Sequence, residues 1–153
     1  MSEFSGVRNM AGDACIFCRV AQGEAPAWRL WEDAQTVAFL DIAPAAPGHV
    51  LVIPRRHVPS LLELDPASAP AVVSTLQRVG RALLERLGAD GFHVFQANGT
   101  AAGQSIFHLH FHVVPRRHGV RLVQRGPGMN PRAAPEELEA MAAQLRPAFG
   151  EAH

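Results

Sequence analysis

Five short segments of this 153-residue chain carry runs or alternations of apolar side chains, and turns rich in Pro, Gly, Asp or Ala separate them. Segments of this length and composition predict β-strands. We expect the strands at about 27–32, 36–42, 48–54, 91–97 and 105–115.

A helix is predicted over 65–87, where apolar side chains recur at helical spacing. Asp65 or Ser68 can cap its start, and Gly88 is a suitable end. A second helix is predicted near 135–145, because its opening turns are acidic and the helix dipole favours negative charge there. The apolar positions of the first helix are Val72, Val73, Leu76, Val79, Leu83, Leu84 and Leu87.

Strands that follow one another with one intervening helix predict an α+β fold, in which an antiparallel five-stranded sheet packs on one main helix, with a C-terminal helix added. The composition shows no break between about 13 and 123, so we expect one domain. We divide the chain into a flexible leader (1–12), a main domain (13–118) and a C-terminal arm and helix (119–153).

The most informative segment is 104–115, in which His108, His110 and His112 stand at every second position with apolar residues between them. On a strand, side chains two apart point to the same face, so this pattern predicts a row of three imidazoles on one face. Burying such a row is costly unless the rings catalyse a reaction or bind something. The alternative is that the row is ordinary packed core.

Two chemistries suit the row. Alternating strand histidines can hold a catalytic metal, and a neutral imidazole can attack phosphorus as a nucleophile. The small-residue turn at 98–105 favours the second, because its backbone amides, with the Gln104 and Ser105 side chains, could surround a phosphate. No carboxylate lies close enough in sequence to complete a local metal site.

Overall charge gives no argument for nucleic acid or membrane as a partner, because 14 basic residues balance 14 acidic ones. Every basic residue is arginine, which excludes a lysine nucleophile or Schiff base. The first dozen residues lack the apolar stretch of a signal peptide, and no later run approaches membrane-spanning length, so we expect a cytoplasmic protein. In that compartment the Cys15-Ile-Phe-Cys18 spacing indicates metal or redox chemistry more than a structural disulfide.

The histidine row and the Gly-Gln-Ser before it resemble the motif of the histidine triad (HIT) nucleotide hydrolases and transferases. The segments 39–44 and 48–57 resemble the second block of that family, and the cysteine pair resembles the start of its bacterial members. The resemblance covers roughly 14–118 and makes 13–118 a HIT-like catalytic domain. It implies an α+β homodimer that binds purine nucleotides and cleaves a bond at the α-phosphate.

By this resemblance, His110 is the nucleophile that becomes transiently nucleotidylated, and His112 donates a hydrogen bond to the phosphate or leaving group. His49 matches a histidine that supports the tautomer of the nucleophile. The substrate-binding positions carried over are Asp41 for the ribose hydroxyls, Asn98, Gln104 and Ser105 for phosphate and leaving-group oxygens, and Phe17, Phe39 and Ile42, with Val20 and Leu51, for the base.

The pair Cys15 and Cys18 is half of a tetrahedral zinc site. By similarity to zinc-bearing members of the family, His57 and His108 would complete a structural Zn²⁺ site, and no organic cofactor is expected. The alternative is a pair of small buried thiols with His57 as a surface residue.

The expected function is hydrolysis of AMP-X substrates, either adenosine phosphoramidates or dinucleoside polyphosphates, with release of a nucleoside monophosphate. His112 stands where the uridylyltransferase branch usually carries glutamine, which favours a hydrolase. The alternatives are a dinucleoside polyphosphate phosphorylase, a nucleotide- or partner-binding module with little catalysis, and a hydrolase with zinc on the histidine row. The expected partners are a purine nucleotide and a second copy of the chain, with no nucleic acid and no membrane.

Overall fold

The computed structural model describes residues 14–122 and 130–150. The predicted leader and part of the predicted arm lie outside the described residues. The helices are α1 (Ile16–Ala21), α2 (Ala69–Leu87) and α3 (Pro135–Leu145). The strands are β1 (Arg29–Glu32), β2 (Thr36–Leu40), β3 (Val50–Pro54), β4 (Gly91–Phe95) and β5 (Phe111–Arg116).

The five strands form one antiparallel sheet in the order β1, β2, β3, β5, β4. Every residue of β2 and β3 is buried, so the centre of the sheet is covered on both faces. The α+β fold with a main helix and a C-terminal helix is therefore confirmed.

One face of the sheet packs against α2 and α3. Leu40, Val52 and Val113 from the strands contact a core that includes Leu83 of α2 and Leu145 of α3. The predicted start and end of the main helix are close to the observed ones. The Asp65 side chain accepts a hydrogen bond from the Ala67 amide at the start of a short 3₁₀ turn that precedes α2, and Gly88 ends α2 in the left-handed conformation at φ 62°.

The opposite face carries α1, which the apolar pattern did not predict. Six residues are too few to show a helical period. The helix begins after Cys15, whose sulfur accepts a hydrogen bond from the Cys18 amide. Its apolar side chains pack with Phe39, Leu51 and Ile53 in a second cluster on this face.

The prediction of a strand over 105–115 is wrong in its first half, because β5 begins only at Phe111. The neighbouring strand β3 ends at Pro54, and the Leu109 amide instead donates to the Val58 carbonyl at 2.7 Å. The chain from 105 to 110 therefore runs beside the segment that leaves β3. Each of the other four strands is two residues shorter than predicted.

Gly48 determines how the chain enters β3. Its φ of +96° is one that L-residues rarely adopt, and a Cβ there would lie 2.5 Å from Leu87 Cδ1. The next residue is His49, so this turn also places a side chain of the candidate site. None of the helices in the described part of the chain has both the length and the apolar character needed to span a bilayer.

Candidate active site

The three histidines divide between two sites. His108 is fully buried, and its ring turns toward the two cysteines, whereas the rings of His110 and His112 are neighbours with centroids 5.1 Å apart. Phe17 of α1 contacts both His108 and His110, and His112 pairs with Leu51 of the second cluster, so all three rings lie on the α1 side of the sheet, as predicted, although only His112 lies within β5.

The His110 ring is held by its own chain. Its Nδ1 lies 2.8 Å from the carbonyl oxygen of His108, which can only accept, so Nδ1 carries the proton. In the neutral ring the lone pair is then on Nε2. Burial lowers the pKa of His110, while the His108 carbonyl and the Asp41 charge act in the opposite direction. The arrangement provides a neutral imidazole with one available nucleophilic nitrogen.

His49 and His112 form a hydrogen-bonded chain. The Ala45 amide donates to His49 Nδ1 at 3.0 Å, so the proton of a neutral His49 is on Nε2, which lies 2.9 Å from His112 Nδ1. His112 Nδ1 therefore accepts, and the proton of the neutral His112 ring is on Nε2. Burial is the main cause that lowers the pKa of His49 to about 4 and that of His112 to about 3. Both rings are neutral at pH 7, and His112 presents an N–H donor.

This geometry corrects one predicted role. We expected His49 to support the tautomer of His110, but the structure places His49 against His112. The His108 carbonyl holds the His110 tautomer instead. The chain bends at 106–108, directly before the His110 ring, so this part of the segment is not a continuous strand.

Asp41 lies beside the histidine chain, with one carboxylate oxygen 3.5 Å from His49 Nε2 and the other accepting from the Ala43 amide at 2.8 Å. Burial raises the pKa of Asp41. Asp41, His49 and His112 are close enough to hold a metal ion. The Ala45 amide, however, fixes the proton of neutral His49 on the nitrogen that would have to bind the ion. This group is better suited to hydrogen bonding than to metal binding.

In the turn predicted to bind phosphate, the Gln104 side chain is hydrogen-bonded within the protein, whereas Ser105 faces solvent. The buried Gln104 side chain donates to the carbonyls of Pro59 and Ile106 at 2.6 and 3.0 Å, and it accepts from the Gly99 amide at 2.8 Å. Both of its donor hydrogens are therefore used within the protein. Ser105 is exposed.

Asn98 is likewise bonded to protein. Its side chain exchanges hydrogen bonds with the Gln96 side chain at 2.7 and 2.8 Å and accepts from the Leu61 amide at 2.8 Å. One hydrogen of the half-buried Asn98 amide is not used by these bonds, and the Ser105 side chain is exposed, so both can reach a ligand while Gln104 cannot without losing its own bonds.

The predicted base-pocket residues divide in the same way. Phe17 and Phe39 pack edge to face at 5.5 Å and are buried with Val20 and Leu51 in the second cluster, whereas Ile42 is exposed. The Phe17 ring also contacts His110, with centroids 5.2 Å apart. The apolar wall of the site is therefore continuous with the core on this face.

Sequence reasoning missed Phe95. It pairs with His112 across β4 and β5, and the two rings stack with centroids 4.5 Å apart and an interplanar angle of 6°. Only the register of the sheet brings these residues together, and no local pattern in the sequence specifies that register.

The four predicted metal ligands lie together. His108 Nδ1 is 3.4 Å from Cys15 Sγ and 3.5 Å from Cys18 Sγ, and His57 Nδ1 is 3.2 Å from Cys18 Sγ. Tetrahedral zinc with ordinary Zn–S and Zn–N bonds separates such atoms by about 3.6 Å. The cluster therefore has nearly the spacing that zinc needs.

The tautomer of His108 also suits a metal. Its Nε2 lies 2.8 Å from the Pro54 carbonyl, which can only accept, so the lone pair of the neutral ring is on the Nδ1 that faces the sulfurs. His57 Nε2 is buried without a hydrogen-bond partner among the described residues. The residues present fit a bound Zn²⁺.

An antiparallel sheet packed against helices, with two neutral imidazoles side by side on one face, is the arrangement expected of a histidine triad (HIT) protein. The HIT domain family matches residues 22–119 of this chain. The chain belongs to this family.

Two curated relatives and one solved structure illustrate the similarity. The chain is 40% identical over 103 residues to the adenylylsulfatase HINT3 of Arabidopsis thaliana, covering 67% of this chain and 52% of that protein. It therefore spans about half the length of that relative. It is 35% identical over 132 residues to the adenosine 5′-monophosphoramidase hnt1 of Schizosaccharomyces pombe, covering 86% and 96%. A zinc-bound histidine triad family protein from Mycobacterium smegmatis superposes with a TM-score of 0.77 at 39% identity, covering 88% and 92%.

Proposed function

We propose that this protein hydrolyses AMP-X compounds at the α-phosphate through a nucleotidyl-His110 intermediate and releases a nucleoside monophosphate. The observation that carries this proposal is the pair of tautomers, with a lone pair on His110 Nε2 and a proton on Nε2 of the neighbouring His112. The relatives named as an adenylylsulfatase and a monophosphoramidase support this substrate class with sulfate or an amine as X. The same chemistry would serve a further phosphate as X.

In the first step, His110 Nε2 attacks the α-phosphorus. The N–P bond forms while the bond from phosphorus to X breaks, and X leaves with the bonding electron pair. The His112 N–H hydrogen-bonds the phosphate or the leaving atom, where negative charge develops. His49 supports His112 by donating to its Nδ1, which keeps the donor hydrogen on the nitrogen that faces the substrate.

The nucleotidylated His110 ring carries positive charge, because Nδ1 keeps its proton while Nε2 is bonded to phosphorus. The His108 carbonyl and the Asp41 charge both stabilise a positively charged His110. Water then attacks phosphorus, one of its protons goes to solvent, and the N–P electron pair returns to Nε2. This restores the neutral nucleophile.

Substrate binding follows from the exposed polar groups around these rings. Asp41 accepts from ribose hydroxyls, since an ionised carboxylate can accept from both donors of a diol. Ser105 and nearby backbone amides hold phosphate oxygens, and Ile42 lines the purine pocket with the edges of Phe17 and Phe39. Gln104 and Asn98 contribute by shaping the turn.

Zn²⁺ would be held by Cys15, Cys18, His57 and His108, whose donor atoms lie within reach of one ion. When bound there, the ion supplies structural cross-linking rather than Lewis acid chemistry, because four protein ligands leave no open position. The zinc-bound relative supports this assignment.

A homodimer is supported by the edge strand β4, which exposes Phe92, Val94 and Phe95. Apolar side chains on an open strand edge are a liability unless another chain covers them. A second copy of the protein would cover both the unpaired backbone and these side chains.

The proposal is tested by rapid quench and intact-protein mass spectrometry after mixing with an adenosine phosphoramidate or with diadenosine tri- and tetraphosphates. We expect an acid-labile adenylate adduct on wild type and on His93→Ala, an exposed histidine of β4, and none on His110→Ala. His110→Ala should keep nucleotide affinity within roughly tenfold, since the nucleophile bonds to phosphorus only during reaction. Absence of both adduct and AMP with every substrate would overturn the hydrolase proposal in favour of a binding module.

A further inference from the structure

Phe95 is the aromatic neighbour of the hydrogen-bond donor in the site. It stands opposite His112 in the β4–β5 register, and its ring lies flat on the imidazole at 4.5 Å. Within a single chain Phe95 is nevertheless 44% exposed, so the stack covers only part of the phenyl ring, and the rest lies on the edge that a second copy would cover. An aromatic side chain left this exposed on an edge strand gains less from burial than a core residue does.

The stack determines the plane of the His112 ring. The hydrogen bond from His49 to Nδ1 fixes one point of that ring but still permits it to tilt about this contact. A flat phenyl ring against one imidazole face removes the tilt, whereas the His110 ring meets His112 at an interplanar angle of 65° and gives no such flat support. Because an N–H hydrogen lies in the plane of its ring, the plane decides where the Nε2 hydrogen points.

We propose that Phe95 is a positioning residue, which fixes the plane of His112 so that its Nε2–H points at the leaving atom of the substrate. This inference rests on the proposed function. Phe95 does not touch His110 through any contact found in the described residues, so its effect should be specific to the step in which His112 stabilises the departing group. Substrates whose leaving group is strongly basic need that donor most.

The test uses full-length protein and a series of aryl esters of AMP whose phenols differ in pKa. For Phe95→Leu we expect kcat/KM to fall about tenfold more for the most basic phenol than for the least basic one, within the range that acid–base assistance provides. Phe95→Tyr keeps the stacking ring and should retain the wild-type dependence on leaving group. The matched control is Phe92→Leu, since Phe92 is 39% exposed on the same strand but points to the other face, where its ring contacts Gly80.

The proposal is overturned if kcat/KM of Phe95→Leu falls by the same factor for every ester. It is also overturned if Phe92→Leu shows the larger fall for basic phenols that we expect only of Phe95→Leu. A second measurement does not depend on turnover. Nitrogen-15 NMR should show the His112 proton on Nε2 in all three proteins, because the His49 hydrogen bond fixes the tautomer. The His112 signals should be sharp in wild type and Phe95→Tyr, and broadened by motion of the ring in Phe95→Leu. If wild type cleaves none of the esters, the proposed function fails, whereas an unchanged His112 signal in Phe95→Leu refutes the role of Phe95.

Discussion

A substitution of Gln104 distinguishes two roles for this residue, stabilising the turn at 98–105 or binding the substrate. Its side chain makes three hydrogen bonds, to the Gly99 amide and to the carbonyls of Pro59 and Ile106, and it is 4% exposed. We consider Gln104→Met, which keeps the length of the side chain and removes both its donors and its acceptor.

The expected cost comes from the three backbone groups left without a partner. A buried polar group that loses its hydrogen bond costs ~1–3 kcal/mol, so at the lower end the three together cost about 3 kcal/mol. For a protein of this size each kcal/mol lowers Tm by roughly 2–4 °C, which gives a decrease of about 6–12 °C. Thermal and urea unfolding of the variant and wild type would measure this difference.

The control is Ser105→Ala, the next residue along the chain, whose side chain is exposed. It should leave Tm within about 1–2 °C of wild type, because exposed substitutions usually change stability by less than ~0.5 kcal/mol. It should also raise KM for AMP-X substrates. If Gln104→Met were as stable as wild type and lost only substrate affinity, Gln104 would be a phosphate ligand and our reasoning about its hydrogen bonds would be wrong.

Three further predictions concern metal, pH and backbone. Elemental analysis should find about one zinc per chain, and Cys18→Ser should lose the zinc with a large fall in Tm and a much smaller change in catalytic rate. The zinc site is ruled out if wild-type protein contains no zinc and Cys18→Ser has the same Tm as wild type. Burial lowers the pKa of His49 to about 4 and that of His112 to about 3. Below pH 6.5, the ordinary pKa of histidine, the unfolded chain therefore binds more protons than the folded protein does. The stability from this source should be complete above pH 6.5 and decline as the pH falls toward 4 and 3, and replacing His49 by Gln should flatten the decline seen in urea unfolding. Gly48→Ala should lower Tm and slow turnover, because it forces a side chain into a φ of +96° against Leu87; wild-type melting would show that the turn can relax.

Much of the fold was readable from local patterns. The spacing of apolar residues and the capping signals at Asp65 and Gly88 located α2 closely, and Pro135 with its acidic neighbours located α3 at the residues observed. The six-residue α1 was missed because it is shorter than two helical turns. The strand predicted over 105–115 was too long, because alternation of side chains does not reveal where a neighbouring strand ends.

The sequence by itself determined that an imidazole site exists, the family to which it belongs, and the residues that could take part. Residue type and spacing are local properties of the chain, and the motif carries both. Only the tertiary structure decided which nitrogen of each ring holds a proton. Those assignments depend on Ala45, His108 and Pro54 as backbone partners of the rings. The tertiary structure also decided that His49 supports His112 and that Phe95 covers it, since strand register joins residues far apart in sequence through contacts that no local pattern encodes.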